Sequence, residues 1–213
     1  MVKTGLYHVN MATRTPSAQR KAPAETSDVR QRILDTASTL FYERGVRAVG
    51  VDLVVDESGV AKTSLYRHFR TKDDLIVAFL EREDVEFWGR WDEVAARHAG
   101  DPAGEIEAHM RWIGKRLARA NYRGCPQINV AAEFAEADHP ARAVARRHMQ
   151  AMRQRLTELA RQLGATRPGD LGAQLGLLVN GAFVSASMLA PDEATRVLLA
   201  SARALLAGAA PVR

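Results

Sequence analysis

A single cysteine, Cys125, is the only thiol in the 213-residue chain. One thiol excludes an intramolecular disulfide framework and a cysteine-based zinc cluster, which suits a reducing compartment and points to the cytoplasm. Without a local basic partner or a resolving cysteine, it reads as a small buried residue rather than a redox switch. The histidines include no HxxxH pair, so no metal is expected. A nucleophile elbow, a glycine-rich phosphate loop and paired carboxylates are all missing, which argues against an enzyme and leaves no cofactor to expect. Residues 1–24 lack the apolar run of a secretion signal, and they lack acid: their charged residues are Lys3, Arg14, Arg20 and Lys21. Residues 1–26 therefore read as a disordered basic arm, either a solvated tail or an arm that follows an anionic groove, and Met11 offers an alternative start.

Charge is also missing from residues 171–191, a run nearly long enough to span a bilayer. Gln174, Asn180, Ser185, Ser187 and the glycines at 172, 176 and 181 fit a helix packed in protein better than one facing lipid, so no membrane partner is expected. No stretch alternates β-branched residues between turns, and no repeat is evident. The fold class is therefore all-α.

With 46% hydrophobic and 26% charged residues, the chain has enough apolar material for one large or two small domains, and its net charge of +5 favours an anionic partner. Ile33, Leu34, Ala37, Leu40 and Phe41 recur at helical spacing after a cap at Ser27 or Asp28, and Gly45 stops that helix. Val51, Val54 and Val55 mark a short second helix ending at Gly59, while Leu65 and Phe69 mark the inner face of a third running from Lys62 to Phe69. Thr71 followed by Asp74 resembles a capping box that opens a long fourth helix through Leu75, Phe79, Leu80, Phe87 and Trp91. Further helices are expected near 102–120, 127–137, 140–164, 170–189 and 192–207.

Two short helices joined by a tight glycine turn have the geometry in which a second helix enters a DNA major groove. The charge supports this: residues 60–72 hold Lys62, Arg67, Arg70 and Lys72 with no acid, whereas the head from Glu25 to Lys72 is nearly balanced. Burying Leu65 and Phe69 turns Lys62, Thr63, Ser64, Tyr66 and Arg67 outward. Lysine can donate to guanine O6 and N7, threonine can touch a thymine methyl or a phosphate, and tyrosine can fix a phosphate. Tyr66 and His68 also admit a plainer reading as half-buried packing residues.

Arg30, Ile33, Leu34, Ala37, Leu40, Phe41 and Gly45, then Ser58-Gly59-Val60, then the run from Thr63 to Lys72 with its Leu-Tyr-x-His-Phe core, and finally Leu75, resemble the N-terminal domain of TetR-family transcriptional regulators over roughly residues 28 to 80. The resemblance implies that Lys62 and Thr63 face bases, that Ser64, Tyr66, His68 and Lys72 hold phosphates, and that the C-terminal body dimerises and binds an inducer. Three positions depart from the family pattern. Gly50 lacks the hydroxyl of the usual cap, Ala61 replaces a polar cap, and Asp52 stands where some relatives place a base-reading basic residue. A carboxylate at 52 either repels phosphate or accepts from cytosine N4.

The organisation expected is thus the basic arm, a three-helix helix-turn-helix DNA-binding domain over 27–72, and a larger helical ligand-binding and dimerisation domain over 73–213. Gly172, Ala173, Gly176, Asn180 and Gly181 permit close helix approach, either within one chain or across a dimer interface similar to the family's. A homodimer would read a near-palindromic operator in double-stranded DNA. For an unknown small-molecule ligand, Trp112 and Phe134 lead the candidates, with Trp88, Met110, Cys125 and Asn129 behind them. Six arginines from Arg142 to Arg161 read as a solvated helix face. The leading function is a repressor released by an inducer. The alternatives are an activator of the same fold, a small-molecule-binding helical protein with a vestigial head, and a protein that coats DNA by charge alone.

Overall fold

The computed structural model describes residues 23–185 and 188–209, which form nine helices and, among the described residues, no strand. They are α1 (Pro23–Arg44), α2 (Val51–Ser58), α3 (Lys62–His68), α4 (Lys72–Ala96), α5 (Pro102–Leu117), α6 (Pro126–Glu133), α7 (Pro140–Gln162), α8 (Pro168–Ser185) and α9 (Pro191–Ala209). Prolines stand first in α1, α5, α6, α7, α8 and α9, where a missing N–H costs nothing. The basic arm expected before residue 23 lies outside the described residues.

Several boundaries differ from the sequence reading; α5 and α8, for instance, end at Leu117 and Ser185 instead of near 120 and 189. α1 begins at Pro23, upstream of a cap at Ser27 or Asp28, because proline suits a first turn and residues 24–26 contain no helix breaker. α3 ends at His68, with Phe69 outside it in an extended conformation. α6 stops at Glu133 instead of near 137, since Phe134 is extended at φ −113° and ψ 121°.

Two apolar cores are joined by one helix. Ile33, Leu34, Ala37, Leu40 and Phe41 of α1 pack with Val54, Leu65 and Phe69, and the first half of α4 closes that core with Leu75, Ile76, Phe79 and Leu80. The second half of α4 sends Phe87 and Trp91 into another core with Ile106, Met110 and Ile113 of α5, Met152 and Leu156 of α7, and Leu175, Val179 and Phe183 of α8. Each such fully buried side chain contributes about 1.5–3 kcal/mol by leaving water. α4 is therefore a beam anchored in both cores, and Val130 of α6 with Ala141 and Val144 of α7 extends the first core to those two helices.

The uncharged run from 171 resolves into two uses. A Cβ on Gly172 would meet the Thr157 backbone at 2.7 Å, so this glycine lets α7 and α8 touch within one chain. Gly181, by contrast, faces open space. Among the described residues, no helix is long and apolar enough to cross a membrane. Five of the six arginines on α7 bind partners in the same chain. Arg142 and Arg146 donate to the carbonyls of Phe134, Ala135 and Ala137, while Arg147, Arg155 and Arg161 pair with Glu81, Asp92 and Glu158.

Candidate nucleic-acid interface

The interface is built on the turn between α2 and α3. Gly59 sits at φ 64°, the left-handed region that side chains disfavour, and its N–H donates to the carbonyls of Val55 and Asp56. This lets α3 leave α2 at once and pack on α1. Leu65 and Phe69 are buried at 0% and 2% exposure, and Arg30 lies 5.0 Å over the Phe69 ring. With that face fixed, Lys62, Thr63, Tyr66 and Arg67 are exposed on the other side, Tyr66 at 43%, while Ser64 and His68 are half-buried. The exposed residues form one row along α3, on a helix that the core cannot release without opening.

The start of α4 completes the row. Thr71 Oγ1 accepts from the Asp74 N–H at 3.0 Å and Asp74 Oδ2 accepts from the Thr71 N–H at 3.0 Å, the reciprocal cap anticipated from the sequence. This cap fixes Lys72 in the first turn of α4, half-buried. Burial is the largest influence on its ammonium and lowers its pKa; Asp73 and Glu133 oppose this and Arg47 adds to it. Gly50 and Ala61 cap α2 and α3 without a side-chain hydrogen bond, so neither helix start is shielded by a hydroxyl.

Asp52 has a partner that sequence spacing did not suggest. Lys62 Nζ lies 2.5 Å from Asp52 Oδ1, across the turn, with both side chains more than half exposed. The hydrogen bond to Asp52 raises the Lys62 pKa, so the lysine stays charged. A second unforeseen contact joins head to body: Glu133 at the end of α6 accepts from the N–H groups of Val46 at 3.1 Å and Arg47 at 2.8 Å. Helical periodicity carries no signal for either contact, because each joins different elements.

The ligand candidates do not gather at one place. Trp88, Met110, Trp112 and Cys125 belong to the body core, where Phe87 packs on Trp88 and Trp112 at ring separations of 5.0 Å. Phe134 belongs to the head core instead, stacked on His139 at 3.6 Å with Arg47 at 5.5 Å over its ring. Asn129 donates to the Arg123 carbonyl and lines a 620 Å³ groove between head and body with Tyr42, Arg44, Arg47, Arg123 and Glu133. Cys125 precedes α6, buried, and burial pushes its thiol pKa up. Two histidines, His109 and His148, lie in the same core, and of these the sequence reading missed His148. His109 stacks on Trp91 at 3.7 Å, His148 Nδ1 lies 2.5 Å from Asp84, and His109 Nδ1 and His148 Nε2 are buried without a partner among the described residues.

Comparison with known proteins agrees with this geometry. A family model described as "Bacterial regulatory proteins, tetR family" matches residues 33–79, the segment that holds α2, α3 and the start of α4. The HTH-type transcriptional repressor Rv3405c of Mycobacterium tuberculosis is 30% identical over 170 residues, covering 78% of this chain and 76% of that protein. The HTH-type transcriptional activator FasR of Mycolicibacterium smegmatis is 43% identical over 53 residues, 25% of this chain and 24% of that protein. The crystal structure of SCO4454, a TetR-family transcriptional regulator from Streptomyces coelicolor, superposes with a TM-score of 0.82 at 30% identity, over 86% of this chain and 96% of that one. Similar along most of its length to regulators that share its fold and its helix-turn-helix, the chain belongs to the TetR family of transcriptional regulators.

Proposed function

We propose that the protein is a homodimeric repressor that grips a near-palindromic operator through α3 and leaves it when a small molecule binds the body. The observation that carries this reading is the row of Lys62, Thr63, Tyr66 and Arg67, exposed on a helix whose opposite face is locked by Leu65 and Phe69. Lys62 and Thr63, at the leading end, read bases; Ser64, Tyr66, Arg67, His68 and Lys72 hold phosphates. Repression is favoured over activation because a relative similar over most of the chain carries the repressor name, whereas likeness to the activator FasR is confined to 53 residues.

Dimerisation is supported by α8 and α9, where Leu177, Val184 and Val197 stand exposed, and by exposed Met188 between the two helices. A large apolar patch on a soluble protein marks an interface. Two copies joined there present two heads to one duplex, and a ligand that favours a different head separation lowers DNA affinity. The candidate ligand contacts are Trp88, Met110 and Trp112, beside the unpartnered ring nitrogens of His109 and His148. Such a reading places the protein in the cytoplasm, with the DNA it regulates.

The test is selection of bound duplexes from a random pool, expected to enrich a palindrome; no enrichment would overturn the reading. On the selected operator, Tyr66→Phe should weaken binding to every variant alike. Lys62→Ala should relax preference at particular base pairs by about 1–3 kcal/mol. Equal losses on all operator variants for both changes would remove the assigned roles.

A further inference from the structure

We propose that Asp52 is a specificity-determining residue, which holds Lys62 over a guanine and accepts a hydrogen bond from N4 of the paired cytosine. This rests on the operator-binding reading above. Asp52 lies in the first turn of α2 and Lys62 opens α3, so the turn at Gly59 brings a carboxylate and an ammonium together at the leading end of the recognition helix. Nζ and Oδ1 are 2.5 Å apart, one hydrogen-bond length, and the side chains are 55% and 75% exposed. Solvent covers the pair in the free protein, and a groove edge can replace that solvent.

The match to a base pair is geometric. In a G·C pair, guanine O6 accepts from cytosine N4, so these atoms too lie one hydrogen bond apart, about 2.9 Å, with guanine N7 next in the row. An ammonium over O6 and N7 then meets two acceptors, while a carboxylate beside it meets the cytosine amino group. An A·T pair splits its two acceptors, adenine N7 and thymine O4, with the adenine amino group, so the ammonium meets them one at a time and the carboxylate finds no cytosine amino group. A C·G pair presents the same groups in reverse order, opposite to the dyad. Lysine alone, on its flexible stem, could reach a guanine on either strand or a phosphate. The carboxylate removes that freedom and fixes which strand carries guanine. No acid lies between Val60 and Lys72, so Asp52 has no competitor for Lys62 on α3 itself.

The decisive experiment is random-pool selection with the full-length wild-type protein and with Asp52→Ala and Asp52→Asn. The wild type should show one position in each half-site where strand-fixed guanine is favoured on the order of tenfold over the alternatives. Asp52→Ala should cut that preference below about threefold at this position while the others keep theirs. Asp52→Asn, whose amide both accepts and donates, should admit adenine there, and it serves as the test if the alanine variant fails to fold. The double change with Lys62→Ala should act at the same position as each single change. An unaltered profile in both Asp52 variants would overturn the proposal, as would uniform tightening on all sequences, the signature of a carboxylate that only repels phosphates. If the wild type itself enriches no sequence, the operator-binding reading falls first and this proposal with it.

Discussion

His109 illustrates how one buried residue ties the molecule to pH. Its ring is fully buried against Trp91, Nε2 lies 3.2 Å from Glu105, and Nδ1 has no partner among the described residues. Burial, helped by His98 and Arg155 and opposed by the Asp92 carboxylate, lowers the His109 pKa to about 3. Because that value is below the ordinary 6.5, the unfolded chain takes up the proton first. Stability from this residue is complete above 6.5 and falls as pH drops from there toward 3, by at most about 1.4 kcal/mol per pH unit. His148 is lowered by burial too, with Asp84 opposing, and adds in the same direction. Glu105 is raised by burial and works the other way near the carboxylate range, so the cleanest window runs from 6.5 down to about 5. Urea unfolding across that window should show the decline, and His109→Phe should flatten it; an identical slope in the variant would assign the effect elsewhere.

Between elements, the contact with most leverage is Glu133 on the turn that follows α1. Two backbone amides, of Val46 and Arg47, donate to its carboxylate, and Tyr42 adds a second tie by donating to the Gly124 carbonyl and accepting from the Arg123 N–H. Glu133→Ala should cost about 1–3 kcal/mol, the range for stranding hydrogen-bonding groups. It should also speed amide exchange at Val46 and Arg47 more than in α5 or α8; unchanged exchange there would show that the link does not hold the head. The sequence was legible where the signal is local. The stripe from Ile33 to Phe41, the turn at Gly59, the cap between Thr71 and Asp74 and the inward pair Leu65 and Phe69 all lie within a few residues of one another, where periodicity and capping chemistry act. It was opaque where contacts cross elements: Asp52 with Lys62, Glu133 with Val46, and Gln127 with the Leu80 carbonyl leave no period to read. Trp112 and Phe134 share a composition suited to a cavity, yet composition does not say which core a ring enters, and they enter different ones.

For the whole molecule, the question is what the outer face of α8 meets. Leu171, Leu175, Val179 and Phe183 point into the body, while Leu177 at 72% and Val184 at 62% exposure, with Gly181 between them, form a second apolar stripe on the opposite side. Hollows of 660 and 320 Å³ flank this stripe, both lined in part by Leu177 and Gly181, and Val197 of α9 borders one of them. A helix apolar on both faces is costly to leave in water, and in the proposed homodimer a second copy turned by a two-fold axis would cover the outer stripe with its own. Leu177→Glu should therefore leave the fold and its melting temperature nearly intact, since the side chain is exposed in the single chain, yet shift sedimentation from dimer to monomer. Binding to the full operator should fall on the order of a hundredfold or more, because the second head no longer binds as a tethered partner. The slope of affinity against salt should drop toward half, each head bringing its own set of phosphate contacts. A variant that stays dimeric and keeps wild-type operator affinity would remove α8 from the interface and require the two heads to be joined through another surface.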